Sequence, residues 1–413
     1  MSDKPHVVII GAGFGGMRVA KRLAGKPVRV TLIDKRNYHL FQPLLYQVAT
    51  AGISPNEIAY PVRAIFRSQK NFDFLMTRVT SVDVEKRVVQ TEEGPVPYDY
   101  LVVAVGSSVN FYGNASLEQN ALPLKDISDA VRIRNHVLRM FELADHETDA
   151  GRRQALLTFV AVGGGPTGVE SAGALSELIR LVLRRDYRAI NMDNVRVITM
   201  EGAPMILPGF PASLQAAARK SLEKKRVEVR VETKVLDYDG EKLTLENGEI
   251  IPARTVLWSA GVCAASLTAK LGLDMGRGGR VPVLPTLQAA GHPNVFVIGD
   301  AAYLEEHGSP LPMVAQVAMQ QAQVAADNIL AAVGNRPARE FRYRNMGMMA
   351  TIGRNAAVAS VFGVNFSGAL AWVVWLVIHL IALIGFRNRL IVLIDWTWSY
   401  FFYDRAVRLI TRE

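Results

Sequence analysis

The 413-residue chain has a single cysteine, Cys263. One thiol excludes an intramolecular disulfide, a redox-active C-x-x-C pair and any cysteine-ligated cluster. It suits a reducing compartment, and Cys263 itself reads as a small buried hydrophobe. No H-E-x-x-H and no cysteine–histidine zinc spacing occurs, so no metal is expected. Basic blocks are absent too. The 47 Lys and Arg are scattered, and the formal net charge of +9 comes without a zinc-finger or RNA-binding signature. Nucleic acid is therefore not an expected partner, which leaves anionic lipid and anionic cofactors. No charged n-region with an apolar h-region precedes the first strand at His6, so the N-terminus is expected to stay in the cytoplasm. Residues 355–386 contain no Asp, Glu, Lys or Arg. Half of the residues are hydrophobic, enough for a large core, and the length calls for two or three domains.

What is present is glycine in a repeated pattern. In HVVIIGAGFGG, a run of β-formers meets Gly11, Gly13 and Gly16. A helical pattern through Val19, Ala20 and Leu23 follows, then the strand VRVTLID, ending at Asp34. This is a βαβ unit of mononucleotide-binding length. A pyrophosphate must approach the backbone closely, where a Cβ would block it, and the helix N-terminus offers free N–H groups and partial positive charge. Asp34 lies 23 residues after Gly11, placed to accept hydrogen bonds from both hydroxyls of an adenosine ribose.

The pattern restarts downstream. Gly163, Gly165 and Gly168 repeat the spacing after the strand Phe159–Val162, and the partner strand ends at Glu201. Glu201 lies 38 residues after Gly163, the excess falling in SELIRLVLRRDYRAINMDN. A carboxylate there repels a 2′-phosphate and so favours NADH over NADPH. Glu170, just past Gly168, reads as an acid pointing sideways toward a nicotinamide ribose and ring, since a carboxylate aimed at the pyrophosphate would repel it. YDYLVVAVGS after the first module is matched by TVLWSAGV after the second, and NVFVIGDAA closes on Gly299-Asp300 before an alanine-rich helix. Such internal duplication is worth more than either motif alone. Between the modules, residues 39–63 read as a long irregular stretch.

Two dinucleotide modules followed by VIGD resemble the two-dinucleotide-binding-domain flavoproteins. HLFQPLLYQVATAGISPNEIAYPVR, GGGPTGVESAGALSEL, AQVAMQQA and the ending GFRNRLIVLIDWTWSYFFYDRAVRLI narrow the resemblance to type II NADH dehydrogenases, over nearly the whole chain. The fold this implies is α/β: two Rossmann-like dinucleotide-binding domains, for FAD and NADH, plus a C-terminal membrane-associating helical region. Residues 1–112 and 287–340 would form the FAD domain, 113–286 the NADH domain and 341–413 the membrane anchor. By resemblance, FAD contacts fall on Gly11, Gly13, Phe14, Gly15, Gly16, Asp34, Lys35, Ala104, Gly106, Gly299 and Asp300. NADH contacts fall on Gly163, Gly165, Thr167, Gly168, Glu170, Glu201, Ala260 and Gly261. The family's A-Q-x-x-x-Q quinone motif matches Ala315, Gln316 and Gln320, with Met319 where some relatives carry histidine. Gln316 and Gln320 share one helix face, and neutral amides can donate to quinone carbonyls without charging an apolar tunnel.

The implied activity is a non-proton-pumping NADH:quinone oxidoreductase, in which a hydride passes from NADH to FAD and two electrons then pass to a membrane quinone. Glu170, Gln316 and Gln320 are its candidate catalytic residues. Glutathione-reductase-like and sulfide:quinone relatives need cysteines that this chain lacks. Phe366–Phe386 is long enough for a transmembrane helix. Asp395 and Asp404 among the later apolar residues, the aromatic residues Trp372, Trp375, Trp396, Trp398, Tyr400 and Tyr403, and Arg387, Arg389, Arg405, Arg408 and Arg412 favour lying on an anionic membrane surface instead. The expected state is a homodimer, peripheral on the cytoplasmic face of the cell membrane. A soluble NADH oxidase, an iron–sulfur-protein reductase and a low-turnover flavin redox sensor stay open as alternatives at this point.

Overall fold

In a computed structural model, residues 4–402 and 407–411 are described. The chain divides into two compact units, each assembled from three segments. The first comprises the chain up to Leu40, Ala59–Ser108 and Val262–Asn345; the second comprises Phe41–Ile58, Val109–Gly261 and the chain from Met346 onward.

The first unit is built on a six-stranded sheet in the order Gln288–Ala289, His292–Val297, Tyr100–Val103, His6–Ile10, Arg29–Asp34 and Phe72–Met76. The last five strands are parallel, and Gln288–Ala289 joins antiparallel. Every residue of His6–Ile10 is buried, as expected of a central parallel strand covered on both faces. On one face lie the helices Phe14–Arg22 and Ala315–Val333, which bury Val19, Ala20, Ala322, Ala325, Ala326 and Ile329 in one apolar cluster. The 322-325-326-329 spacing is one helical stripe, and its small side chains let the two helices come close. The other face carries the antiparallel strands Val79–Asp83, Val88–Thr91 and Gly94–Pro97, whose Val82 and Val89 pack with Val8, Ile10 and Ile33. Cys263 is half-buried in this unit, so the expectation of a buried residue is corrected; its thiol sits 3.9 Å from the Ser108 carbonyl oxygen.

The second unit repeats the plan. Its five-stranded parallel sheet runs Leu122–Pro123, Thr255–Trp258, Thr158–Val162, Arg196–Met200 and Val227–Arg230. The helix Pro166–Glu177 follows the glycine loop and continues through a π turn, Leu178–Leu183, to Arg184–Asp186. This extension accounts for the long spacing between Gly163 and Glu201. A three-stranded antiparallel meander, Met348–Thr351, Ala357–Val361 and Val364–Gly368, leads into the helices Ala369–Ala382 and Phe386–Phe402.

Two sequence expectations need revision. Phe366–Phe386 is not one helix: Phe366 lies in a strand, and the first helix stops at Ala382, where Leu383 turns extended ahead of a left-handed Gly385. The helix Ala369–Ala382 has 14 residues, about 21 Å, against the ~30 Å of a hydrocarbon core. Among the described residues no helix is long and apolar enough to cross a membrane. Residues 39–63, which read as irregular, hold Gln42–Leu44, Leu45–Ala49 and Pro55–Ile58 as short helices. Elements of three to five residues are too short to show a period. Tyr403, Asp404, Arg405 and Arg412 lie outside the described residues.

Candidate active site

The first glycine loop follows Ile10 directly. Gly11 has φ +106°, and a Cβ there would run into the Ala104 carbonyl. A Cβ on Gly16 would collide with the Gly11 carbonyl oxygen, whereas one on Gly13 would meet nothing within 4 Å. Two glycines are thus demanded by packing, and the middle one opens onto free space. The helix Phe14–Arg22 starts at Gly13 with no side-chain cap and no acid in its first turn, leaving backbone N–H groups for an anion. Asp34 accepts from Ala12 N at 2.7 Å and from Arg36 N at 2.9 Å. Two bonds leave a carboxylate further lone pairs for a ribose. Lys35 is exposed beside it. His39 is buried against the loop, with Nδ1 2.9 Å from the Ala12 carbonyl and its ring edge-on to Phe14. Burial holds this imidazole below its ordinary pKa, so Nδ1–H donates from a neutral ring.

The same unit places Gly106, Gly299 and Asp300 at the C-terminal ends of neighbouring strands, the usual edge for ligands in α/β sheets. Asp300 accepts from Ser107 Oγ at 2.5 Å. Arg280, buried, donates to the carbonyls of Ala302 and Leu311 and faces Asp300 electrostatically. The helix Ala315–Val333 carries Gln316 and Gln320. Both amide atoms of Gln320 are engaged by one backbone unit: Nε2 donates to Arg344 O at 2.8 Å, and Oε1 accepts from Arg344 N at 3.0 Å. This pairing fixes the orientation of the Gln320 amide and leaves its second N–H and a second oxygen lone pair for a ligand.

The second loop is built alike. Gly163 has φ +108° and lies against the Ser259–Ala260 backbone; a Cβ on Gly168 would collide with the Gly163 carbonyl; a Cβ on Gly165 would meet nothing within 4 Å. The helix again starts uncapped, with exposed Thr167 in its first turn. Glu201 accepts from Gly164 N at 2.7 Å and Ala203 N at 2.9 Å. Gly261 approaches the Tyr112 ring so closely that a Cβ would strike its hydroxyl.

Glu170 stands apart from this group. It is the fifth residue of the helix Pro166–Glu177, buried, and its Oε1 lies 3.3 Å from Thr351 N. The neighbouring Trp375 indole N–H is buried without a hydrogen bond of ordinary length. Burial pushes the Glu170 carboxyl up to about 8, against the opposing pull of Thr351 N–H and Trp375, so it holds a proton at neutral pH. Thr351 and Trp375 also line a cavity of about 360 Å³, with Tyr46, Trp372, Leu376 and Trp396 among its walls. That volume is within the range of small-molecule sites. At one end Gln47 donates to Tyr46 and accepts from Trp396 Nε1 at 2.7 Å.

Sequence reasoning missed Gln321, His39 and Ser107. Gln321 had a readable signal: it is the polar member of the otherwise apolar stripe Ala318, Ala322 and Ala325. It is 1% exposed, and its Oε1 accepts from Gly299 N at 2.6 Å.

Residues 5–322 match the family model for pyridine nucleotide-disulphide oxidoreductases, and residues 345–404 match the NDH2 C-terminal domain. A type II NADH:quinone oxidoreductase of Mycobacterium tuberculosis is 41% identical, covering 99% of this chain and 90% of its own. A second from the same organism is also 41% identical, over 100% and 91%. Among solved structures, NDH2 from Plasmodium falciparum in complex with NADH matches with a TM-score of 0.90 at 20% identity, covering 99% of this chain and 100% of that one.

Proposed function

The chain belongs to the type II NADH:quinone oxidoreductases and oxidises NADH with quinone as acceptor; from that premise we propose that the first glycine loop holds FAD and the second holds NADH. The observation that carries this assignment is the duplicated cradle: two uncapped helix N-termini, each beside an acid already fixed by two backbone N–H groups. The first cradle fits FAD because the Gly13 position opens where a pyrophosphate would lie. The backbone of Gly11, Gly13, Phe14, Gly15 and Gly16 would hold that pyrophosphate. Asp34 and Lys35 would hold the adenosine ribose, and Ala104, Gly106, Gly299 and Asp300 the remainder. FAD, when bound, supplies the two-electron carrier between NADH and quinone.

In the second unit, Gly163, Gly165, Thr167 and Gly168 bind the NADH pyrophosphate, and Ala260 and Gly261 border the nicotinamide end. Glu201 accepts from the ribose and repels a 2′-phosphate. Glu170 keeps a proton available for a quinone that takes up two. Ala315, Gln316 and Gln320 form the quinone-facing helix start of the first unit.

Type II NADH dehydrogenases are membrane-associated. In this chain Leu370, Val373, Val377 and Ile381 form one exposed stripe on the helix Ala369–Ala382; Phe386, Leu390, Ile394 and Phe401 do the same on the next. Apolar stripes of this kind lie on a membrane rather than cross it. Arg387 adds attraction to anionic lipid. Arg389 adds to it, and Arg408, paired with Asp186, contributes less. The functional division is the FAD segments 1–112 and 287–340, the NADH segment 113–286 and the anchor 341–413, except that residues 41–58 belong to the second compact unit and 262–286 to the first; the assembly is a homodimer on the cytoplasmic face.

The purified protein should be yellow, bleach when NADH is added without oxygen, and regain colour when a soluble quinone follows. Colour that fails to return would favour the redox-sensor reading; re-oxidation by oxygen alone, with quinone inert, would favour an NADH oxidase.

A further inference from the structure

We propose that Gln321 is a positioning residue for the cofactor end of the first unit: its buried amide sets the Gly299–Asp300 turn, and through that turn the aim of Asp300. This rests on the assignment of FAD to the first glycine loop.

The strand His292–Val297 leaves the sheet at this turn. Ile298 N still donates to Val103 O at 3.0 Å, in register with the neighbouring strand. The next N–H, that of Gly299, has left the ladder and is buried. Its acceptor is Gln321 Oε1, at 2.6 Å, on the helix Ala315–Val333. Gly299 has φ +69°, and a Cβ there would come within 3.0 Å of Ala318 Cβ. The turn is thus seated on the helix at two points one turn apart, Ala318 by close approach and Gln321 by hydrogen bond. Asp300 follows at once, and its far side is fixed by Ser107. Without the Gln321 oxygen a buried donor would lack a partner, a condition folded proteins relieve by moving the donor. Such a movement would swing Asp300 relative to Ser107.

A second buried amide on the same helix separates positioning from stability. Asn328, 2% exposed, donates to Thr286 O and Arg339 O and accepts from Arg339 N. It fastens the distal half of the helix and touches nothing at the turn.

The test compares Gln321→Met and Asn328→Leu in the full chain. It measures FAD affinity by refilling the flavin-stripped protein, the visible spectrum of the bound flavin, and NADH affinity as a check on the fold. Gln321→Met should weaken FAD binding roughly ten- to hundredfold and shift the flavin bands, with NADH affinity unchanged. Asn328→Leu should lower the melting temperature and leave FAD affinity and spectrum as in wild type. Wild-type FAD affinity and spectrum in Gln321→Met overturn the inference, as does an equal loss of FAD in Asn328→Leu. If Gln321→Met does not fold, Gln321→Asn, one methylene too short to reach Gly299, takes its place with the same two outcomes. A wild-type protein that binds no FAD overturns the assignment of the first loop, and the inference with it.

Discussion

Asp34, the last residue of its strand, and Glu201, the first residue after its own, bond equivalent backbone atoms, yet the loop residue facing each differs: Ala12 in the first unit, Gly164 in the second. A Cβ on Gly164 would come within 2.8 Å of Glu201 Cβ and 3.0 Å of its Oε2. The Glu201 side chain, from its Cβ through Cγ to Oε2, lies against Gly164 and occupies the space that a methyl needs. Aspartate reaches the N–H directly, and the Ala12 methyl instead joins the core with Met17 and Leu32. The two sequences G-A-G with Asp and G-G-G with Glu are therefore two solutions to one geometry, each consistent only within its own pair.

The comparison breaks most visibly at the packing glycines. Gly16→Ala and Gly168→Ala each drive a methyl into a backbone carbonyl that cannot yield. Each should cost about 4 kcal/mol or more, read by denaturant unfolding. Gly13→Ala and Gly165→Ala place a methyl in open space at φ −74° and −69°, conformations alanine adopts freely. These two should leave stability within about 0.5 kcal/mol while weakening FAD and NADH binding respectively. Equal destabilisation by all four would mean that the middle glycines serve the fold and not a ligand.

The acid–loop pairing is sharpened by a double-mutant cycle. Gly164→Ala alone should cost about 2 kcal/mol. In the background of Glu201→Asp, which recreates the first unit's pair, the same change should cost less, because the shorter acid can withdraw its outer atoms from the 3.0 Å contacts while only the Cβ contact stays. Independent sites add; additive costs here would sink the pairing.

Much of this was legible in the sequence because it is local. Both loops, both acids and the strand before each follow from spacings within one βαβ unit. What was hidden depends on chain segments far apart. Glu170 looked like a first-turn acid turned sideways toward a nicotinamide, and nothing nearby in sequence announced Thr351, 181 residues away, as its partner. The apolar stretch 366–386 gave a correct composition and a wrong element, because the strand Val364–Gly368 is specified by pairing with Ala357–Val361 and not by its own hydrophobicity. Gln321 was readable as an odd polar residue, but its target, Gly299, was not.

Two residues past the last loop glycine, the units diverge again: exposed Arg18 in the first helix, buried Glu170 in the second. A carboxyl at about 8 in the folded chain and near 4.5 when unfolded binds its proton more tightly when folded. Stability should therefore fall as pH rises through that window, by about 1.4 kcal/mol per pH unit, and level off above it. Glu170→Gln keeps an acceptor for Thr351 N–H and removes the titration. Its melting temperature should gain on the wild type between pH 6 and 8. Parallel curves over that range would show that Glu170 carries no proton at neutral pH.

The smallest expected effect lies at the helix ends. The first helix ends on Arg22, whose guanidinium pairs with Asp327 at 2.8 Å while its side chain stays 54% exposed. The second closes its first α-helical stretch on Glu177, ahead of the π turn; this side chain is 7% exposed and accepts from Lys225 Nζ at 2.6 Å and Arg354 N at 2.7 Å. Water screens the first pair and is largely shut out of the second. Asp327 also keeps Arg339 as a second cation at 2.6 Å. Arg22→Ala should therefore cost no more than about 0.5 kcal/mol, and that loss should vanish in high salt. A salt-independent loss of several times that size would mean that Arg22 acts through the packing of its aliphatic stem and not through charge, and the contrast between the two helix ends would then rest on burial alone.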